Sequence, residues 1–280
     1  MAVQVGPGDS PAVEVVHLGK TFRRPKKGGR WWQHASTEKH ALDDVSLTID
    51  TGCITGIIGA NGSGKSTLIR VLSTLLLPSR GTASVFGHDV VTEASWVQRR
   101  INRVSVEASF FKEMSPWENL SYAGRLYGTH DRGGRARAEA VLERLGLPLD
   151  TVDRPMKHLS RGQQQKVAIA RSLLTSPTLL LMDEPTTGLD PRSKREVQAL
   201  VSMVHAEGDA TVVICTHDLG EAEVLCDRVV IMDHGRVLAD GPPAQLKRAH
   251  GKGASLEDVF MAISGRTTDE MESDVEEGAA

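Results

Sequence analysis

GANGSGKST, residues 59–67, decides the fold. Gly59, four residues, then Gly64, Lys65 and Ser66 give the spacing of a phosphate-binding P-loop. The flanks suit it. The apolar run Ile54 to Ile58 precedes it as a strand, and Leu68, Ile69, Val71, Leu72 and Leu75 follow at helical spacing. Gly62 and Gly64 can take backbone angles that other residues avoid, so successive N–H groups turn inward around an anion. A helix starting near Lys65 adds its positive end to the same place. Lys65 is set to reach the outer phosphates of a nucleotide, and the Ser66 hydroxyl to coordinate Mg²⁺. A glycine-rich turn before an ordinary helix would account for the glycines but not for the Lys-Ser pair behind them.

Three segments downstream narrow the reading. TLLLMDEP, 178–185, is a bare apolar run ending in two carboxylates, as a buried parallel strand delivers them. Asp183 is set to hold Mg²⁺ and Glu184 to orient and polarise an attacking water. By itself this segment could equally be a core strand with two exposed acids. LSRGQ, 159–163, lies upstream: Ser160, the backbone of Gly162 and a helix beginning near Gln163 make a second anion site. TVVICTH, 211–217, reads as a further strand with His217 at its end, and a lone histidine there carries nothing without its companions.

Taken together, the P-loop, LSRGQ, LLLMDEP, GLD at 188–190 and His217 resemble, in order and spacing, the nucleotide-binding domains of ABC ATPases, over about residues 12–240. The resemblance implies an α/β P-loop NTPase with a RecA-like core, a parallel sheet, an antiparallel β subdomain and an inserted helical subdomain. It implies ATP and Mg²⁺ as cofactors, and two domains paired head to tail, as homodimer or heterodimer. Each ATP then lies between the P-loop of one subunit (Gly59, Asn61, Gly62, Ser63, Gly64, Lys65, Ser66 and Thr67) and Ser160, Gly162 and Gln163 of the other. His217 is implied to contact the γ-phosphate, Asp190 to lie at the dimer seam, and Phe22 to stack on adenine, where the family often has Tyr.

Composition agrees. The chain has 280 residues, 40% hydrophobic and 25% charged, enough for one large core. A net charge of −3 gives no reason to expect nucleic acid as a partner. The first ten residues carry no secretory pattern, and no run approaches the roughly 20 apolar residues of a membrane span. Cys53, Cys215 and Cys226 lack CxxC spacing. They read as reduced cytosolic thiols, Cys53 and Cys215 in strands, with no structural zinc.

The layout expected is a tail over 1–11, the nucleotide-binding domain over 12–240, a helical extension over 241–266 and an acidic disordered tail over 267–280. Within the domain, Trp117 to Tyr127 and Arg135 to Leu145 are helical in pattern and belong to a helical subdomain over about 108–160. Val229–Met232 and Arg236–Ala239 flank Asp-His-Gly, a hairpin signal.

Three positions depart from the family. A Gln that contacts Mg²⁺ and the attacking water is replaced: a strand over Arg103–Val106 leads to Glu107, which keeps an oxygen ligand for the metal and adds a charge. Arg161 stands where the signature usually has Gly, with little loss expected because the contact there is mostly backbone. Arg23 to His40 is an insertion containing RRPKKGGRWW, five basic residues followed by Trp31 and Trp32. It reads either as a solvated loop whose tryptophans pack on the domain or as a contact with anionic lipid or the permease.

ASLEDVFMAISGR, 254–266, resembles the ending of ABC ATPases that serve multidrug, antibiotic or lipid exporters with a separate permease chain. An amphipathic helix packed on the core would read the same way and would weaken that export assignment. The function expected is therefore the ATP-hydrolysing subunit of an exporter, peripheral on the cytoplasmic face of the membrane through an integral permease. A non-transport ABC ATPase and a slow nucleotide-sensing regulator are the competing readings.

Overall fold

Val13, Val15 and Leu18 are buried while Val16 is 41% exposed, so the alternation of β1 (Val13–Pro25) slips by one residue in mid-strand. The slip is a bulge: His17 has φ 50°, and the antiparallel register with β2 (Ser36–Ile49) shifts between Val15 and Leu18. In the computed structural model, which describes residues 11–25, 36–105, 110–128, 134–208 and 210–265, β1 runs on to Pro25, into the segment expected as an insertion. Phe22 lies inside the strand opposite Lys39, and Arg23 and Pro25 pair with Glu38 and Ser36. The ends of the expected insertion are therefore the two arms of a hairpin. Trp31 and Trp32 lie outside the described residues.

The chain divides into two compact units, Met1–Gln98 with Cys215–Ala280, and Arg99–Ile214. The first opens with β1 and β2, then β3 (Ile54–Ile58), every residue of it buried, and α1 (Lys65–Leu72). β4 (Arg80–Val85) pairs antiparallel with β1 and with the short β5 (His88–Asp89), and α2 (Ala94–Gln98) ends this stretch. An antiparallel sheet of order β2-β1-β4-β5 results.

The second unit begins with β6 (Ile101–Val104), two residues earlier than the Arg103–Val106 expected. α3 (Pro116–Leu126) and α4 (Gly134–Arg144) follow as the helical pattern requires, α3 opening with a capping box between Ser115 and Glu118. Two single 3₁₀ turns lead to α5 (Arg161–Leu173). β7 (Leu179–Asp183) runs parallel to β6, Ile101 opposite Leu179 and Val104 opposite Met182. That register places the end of β6. α6 (Pro191–Gly208) leads into β8 (Thr211–Thr216), and the strand order here is β8-β7-β6.

The chain then returns to the first unit through α7 (Leu219–Leu225) and β9 (Arg228–Asp233), which lies parallel to β3, Thr55 opposite Arg228. β10 (Arg236–Gly241) folds back on β9. The loop between them is two residues, His234 at φ 45° and Gly235 at φ 76°, the pair of positive values that a tight hairpin needs. α8 (Pro243–His250) and α9 (Leu256–Ser264) complete the unit, α9 burying Leu256, Val259 and Phe260. The apolar residues of the LEDVF motif are thus core residues. Among the described residues no helix is long and apolar enough to cross a membrane.

Candidate nucleotide site

In the first unit, β3 delivers the chain to the P-loop and α1 leaves it. Gly59 sits against β9, where a Cβ would drive into the Met232 carbonyl oxygen. Gly64 has φ 108° and faces the Ala41 carbonyl, 2.5 Å from where a Cβ would stand. Only glycine satisfies both demands at position 64. As the residue before α1 it offers no side-chain cap, which leaves the positive end of the helix open to an anion. Ser63 is 2% exposed, and its Oγ has no hydrogen-bond partner among the described residues. Lys65 is buried and its Nζ donates to the Gly59 and Ala60 carbonyls at 2.6 and 3.0 Å. An uncapped helix start, a buried hydroxyl without a partner and a buried ammonium folded across the loop together fit a bound polyphosphate.

His217 follows β8 directly and is half-buried. The next residue, Asp218, caps α7 by accepting from the Glu221 N–H at 2.7 Å. Phe22 on β1 is 37% exposed, with Lys20 Nζ 5.2 Å from its ring centre. Cys53 lies in the bend before β3 rather than in a strand, because β3 begins at Ile54. Cys215 is in β8. Burial, with Glu221 nearby, pushes the Cys226 thiol up to about 12, and burial raises Cys53 as well. None of the three forms a disulfide among the described residues.

The second unit holds the carboxylates. Asp183 closes β7 and is 2% exposed. Arg103 on β6 donates to it, Nη2 to Oδ2 at 3.0 Å. Glu184 turns the chain out of the strand at φ 54°, and its Oε2 accepts from Thr187 Oγ1 at 2.8 Å. The sequence points to Asp183 and Glu184 but gives no sign of Arg103 or Thr187, one a charge inside a four-residue strand and the other an ordinary turn residue. Among the described residues no group of three or more His, Cys, Asp or Glu is placed to hold a metal ion. A single buried carboxylate such as Asp183 fits Mg²⁺, which keeps several waters and takes other ligands from phosphate.

LSRGQ opens α5, which starts at Arg161, two residues earlier than expected. The reason is a capping box: Ser160 Oγ accepts from the Gln163 N–H at 3.2 Å, and Gln163 Oε1 accepts from the Ser160 N–H at 2.9 Å. The Ser160 hydroxyl keeps its proton to donate outward. Gly162 packs on Ser193, whose Oγ lies 2.5 Å from where a Cβ would stand. Arg161 lays its guanidinium over Gly188, a side-chain contact beyond the backbone role expected for that position. Asp190 caps α6, accepting from the Arg192 and Ser193 N–H groups at 3.0 Å each. The Ser193 hydroxyl, then these N–H groups, hold its carboxyl below the usual carboxylate range. Glu107 lies outside the described residues.

A family model described as "ABC transporter" matches residues 42–187. The chain belongs to the ABC transporter family. Its cassette is 44% identical over 211 residues to the daunorubicin/doxorubicin resistance ATP-binding protein DrrA of Streptomyces peucetius, covering 75% of this chain and 63% of that protein. The chain thus spans less than two thirds of that relative's length. It is 37% identical over 223 residues to the ABC transporter ATP-binding protein NatA of Bacillus subtilis, 79% of this chain and 89% of NatA. Among solved structures, an ATP-binding subunit of an ABC transporter superposes with a TM-score of 0.72 at 30% identity, covering 90% of this chain and 99% of the other. A dimeric ATP-binding cassette in a post-hydrolysis state with ADP and phosphate gives 0.71 at 27% identity, covering 82% and 98%. The ABC cassette therefore accounts for both the P-loop unit and the unit with LSRGQ and Asp183-Glu184.

Proposed function

We infer that this chain is the ATP-hydrolysing subunit of an ABC exporter of the antibiotic-resistance kind. The observation that carries the reading is the P-loop itself, an uncapped α1 with Lys65 buried against the loop and the Ser63 hydroxyl left over. The export half of the reading draws its support from the daunorubicin and doxorubicin resistance relatives. The buried face of α9 explains the LEDVF residues by packing alone, so that motif adds little.

In this reading Lys65 and the loop amides, from Gly59 through Asn61, Gly62, Ser63 and Gly64 to Thr67, bind the phosphates of ATP. Phe22 offers its face to the adenine. Ser66 and Asp183 hold Mg²⁺, which when bound neutralises phosphate charge and polarises the transferred group. Glu184 orients the attacking water, His217 meets the γ-phosphate, and Glu107 takes the part of the family's Gln toward Mg²⁺ and that water. Ser160, Gly162 and Gln163 serve the nucleotide of a second subunit, with Asp190 at the seam. The work is delivered to a separate integral permease, which keeps the chain at the inner face of the cell membrane.

The test is purification of the chain with the membrane protein encoded beside it. Steady-state ATP hydrolysis that rises when the two are joined in lipid is expected. A chain that hydrolyses ATP but never associates with a membrane protein would remove the transport reading. A chain that binds ATP without turnover would favour a nucleotide sensor instead.

A further inference from the structure

β6 brings a cation to the end of β7. In the parallel register Arg103 lies opposite Leu181, and its side chain reaches along the pair to Asp183. Both partners are withdrawn from water, the Arg103 side chain at 20% exposure and that of Asp183 at 3%. The bond runs through Nη2, while Nε is buried with no acceptor among the described residues. A guanidinium grips a carboxylate best with two parallel bonds. The grip here is made through one nitrogen and leaves a buried donor over.

Asp183 is also the carboxylate read above as the Mg²⁺ ligand. Arg103 Nη2 donates to one oxygen of the carboxylate, and a metal cation brought onto the same dry carboxylate is repelled by the guanidinium. Yet a buried carboxylate without any cation is unstable when the metal is away. We propose that Arg103 is a built-in counter-ion of Asp183 with which Mg²⁺ and nucleotide compete, and that it thereby sets how much Mg²⁺ the chain needs. The inference rests on the reading of Asp183 as the magnesium carboxylate. Arg103 acts through Asp183, as a positioning residue.

The experiment titrates Mg²⁺ into the full chain with a fluorescent, non-hydrolysable ATP analogue and reads equilibrium binding, with no turnover involved. Arg103→Gln keeps a donor for Asp183 and removes the charge. Its Mg²⁺ midpoint is expected to fall about tenfold, the size of an effect worth about 1.4 kcal/mol. In EDTA the same variant is expected to bind the analogue more weakly than the parent, because a positive charge has been removed from beside Asp183. Arg103→Lys, which keeps the charge, should stay within about twofold of the parent. Asp183→Asn should lose most of the Mg²⁺ dependence. If Asp183→Asn shifts the titration and Arg103→Gln does not, the counter-ion proposal is overturned and the metal reading of Asp183 stands. If Asp183→Asn leaves the titration unchanged, both fall. Should Arg103→Gln not fold, the unsubstituted chain still decides: the Arg103 guanidinium ¹⁵N resonance, assigned through Arg103→Lys, should move when the analogue is added with Mg²⁺ and hold still when it is added with EDTA. The same shift under both conditions would overturn the proposal.

Discussion

Glu184 is held at φ 54°, a left-handed conformation that costs a glutamate about 1–3 kcal/mol and persists only when its neighbours impose it. Thr187 is one such neighbour, its hydroxyl bonded to Glu184 Oε2 and its N–H reaching the Glu184 carbonyl at 3.3 Å. The carboxylate is thereby aimed as well as supplied. Replacing Thr187 by Val removes the side-chain bond at nearly constant shape. Turnover is expected to fall about fivefold to tenfold, the worth of one hydrogen bond of about 1–1.4 kcal/mol, with ATP affinity unchanged. Thr187→Ser should restore the rate. Single-turnover hydrolysis beside equilibrium ATP binding checks this, and a Val variant at full speed would show that Glu184 needs no aiming. Glu184→Gln should go further, keeping ATP binding and losing most turnover. The identity of Glu184 was legible in the DEP sequence. Its conformation and its partner were not, because nothing in residue type announces a positive φ at a glutamate.

Among the elements, α9 shows how a motif and a packing face can coincide. Ser255 and Asp258 close a capping box at its start, with Ser255 Oγ accepting from the Asp258 N–H at 3.1 Å and Asp258 Oδ2 accepting from the Ser255 N–H at 2.8 Å. Gly265 ends it at φ 68°. Phe260 is fully buried, and the helix packs on α7, α8 and β10. Ser255→Ala should cost about 1 kcal/mol and Phe260→Ala about 3–5 kcal/mol in denaturant unfolding of the full chain, with the ATP affinity of the folded fraction unchanged. A Phe260→Ala chain as stable as the parent would mean that α9 is held by something other than its apolar face. The elements most legible in the sequence were those with one dominant signal: the apolar runs of β3, β7 and β8, and the β9–β10 hairpin around His234-Gly235. β1 was ended at Phe22 because the basic residues from Arg23 read as the start of an insertion, whereas pairing with β2 carries the strand to Pro25. β6 was misplaced by two residues because its bounds are set by pairing with β7, a long-range fact. Cys53 was read into a strand because an apolar run does not mark where pairing begins. α5 was read late because the capping box that starts it uses the same Ser160 and Gln163 that had been given to phosphate.

At the scale of the whole molecule, the deciding question is whether two chains share each nucleotide. Ser160 caps α5 and faces outward, exposed, while Lys65 is buried in its own P-loop. The two residues are therefore expected to fail differently. Lys65→Ala removes the cation that faces the phosphates and should lower ATP affinity in the chain that carries it. Ser160→Arg places a bulky cation at the start of α5, where the helix end already repels positive charge, and should leave that chain's own P-loop able to bind ATP. If each nucleotide is held by the P-loop of one chain and the Ser160 segment of its partner, a mixed dimer of the two variants has one site with both defects and one site with neither. Each mixed dimer should carry about half the activity of an unsubstituted dimer if the two sites work independently, so an equal mixture, in which about half the dimers are mixed, should hydrolyse ATP at about a quarter of the unsubstituted rate and above both parents. The measurement is steady-state hydrolysis against mixing ratio, with heterodimer formation followed by differently tagged chains. A rate that peaks near equal mixing supports sharing between subunits. A rate that stays at the weighted mean of the two variants, with heterodimers demonstrably present, means that Ser160 acts on the nucleotide of its own chain, or on none.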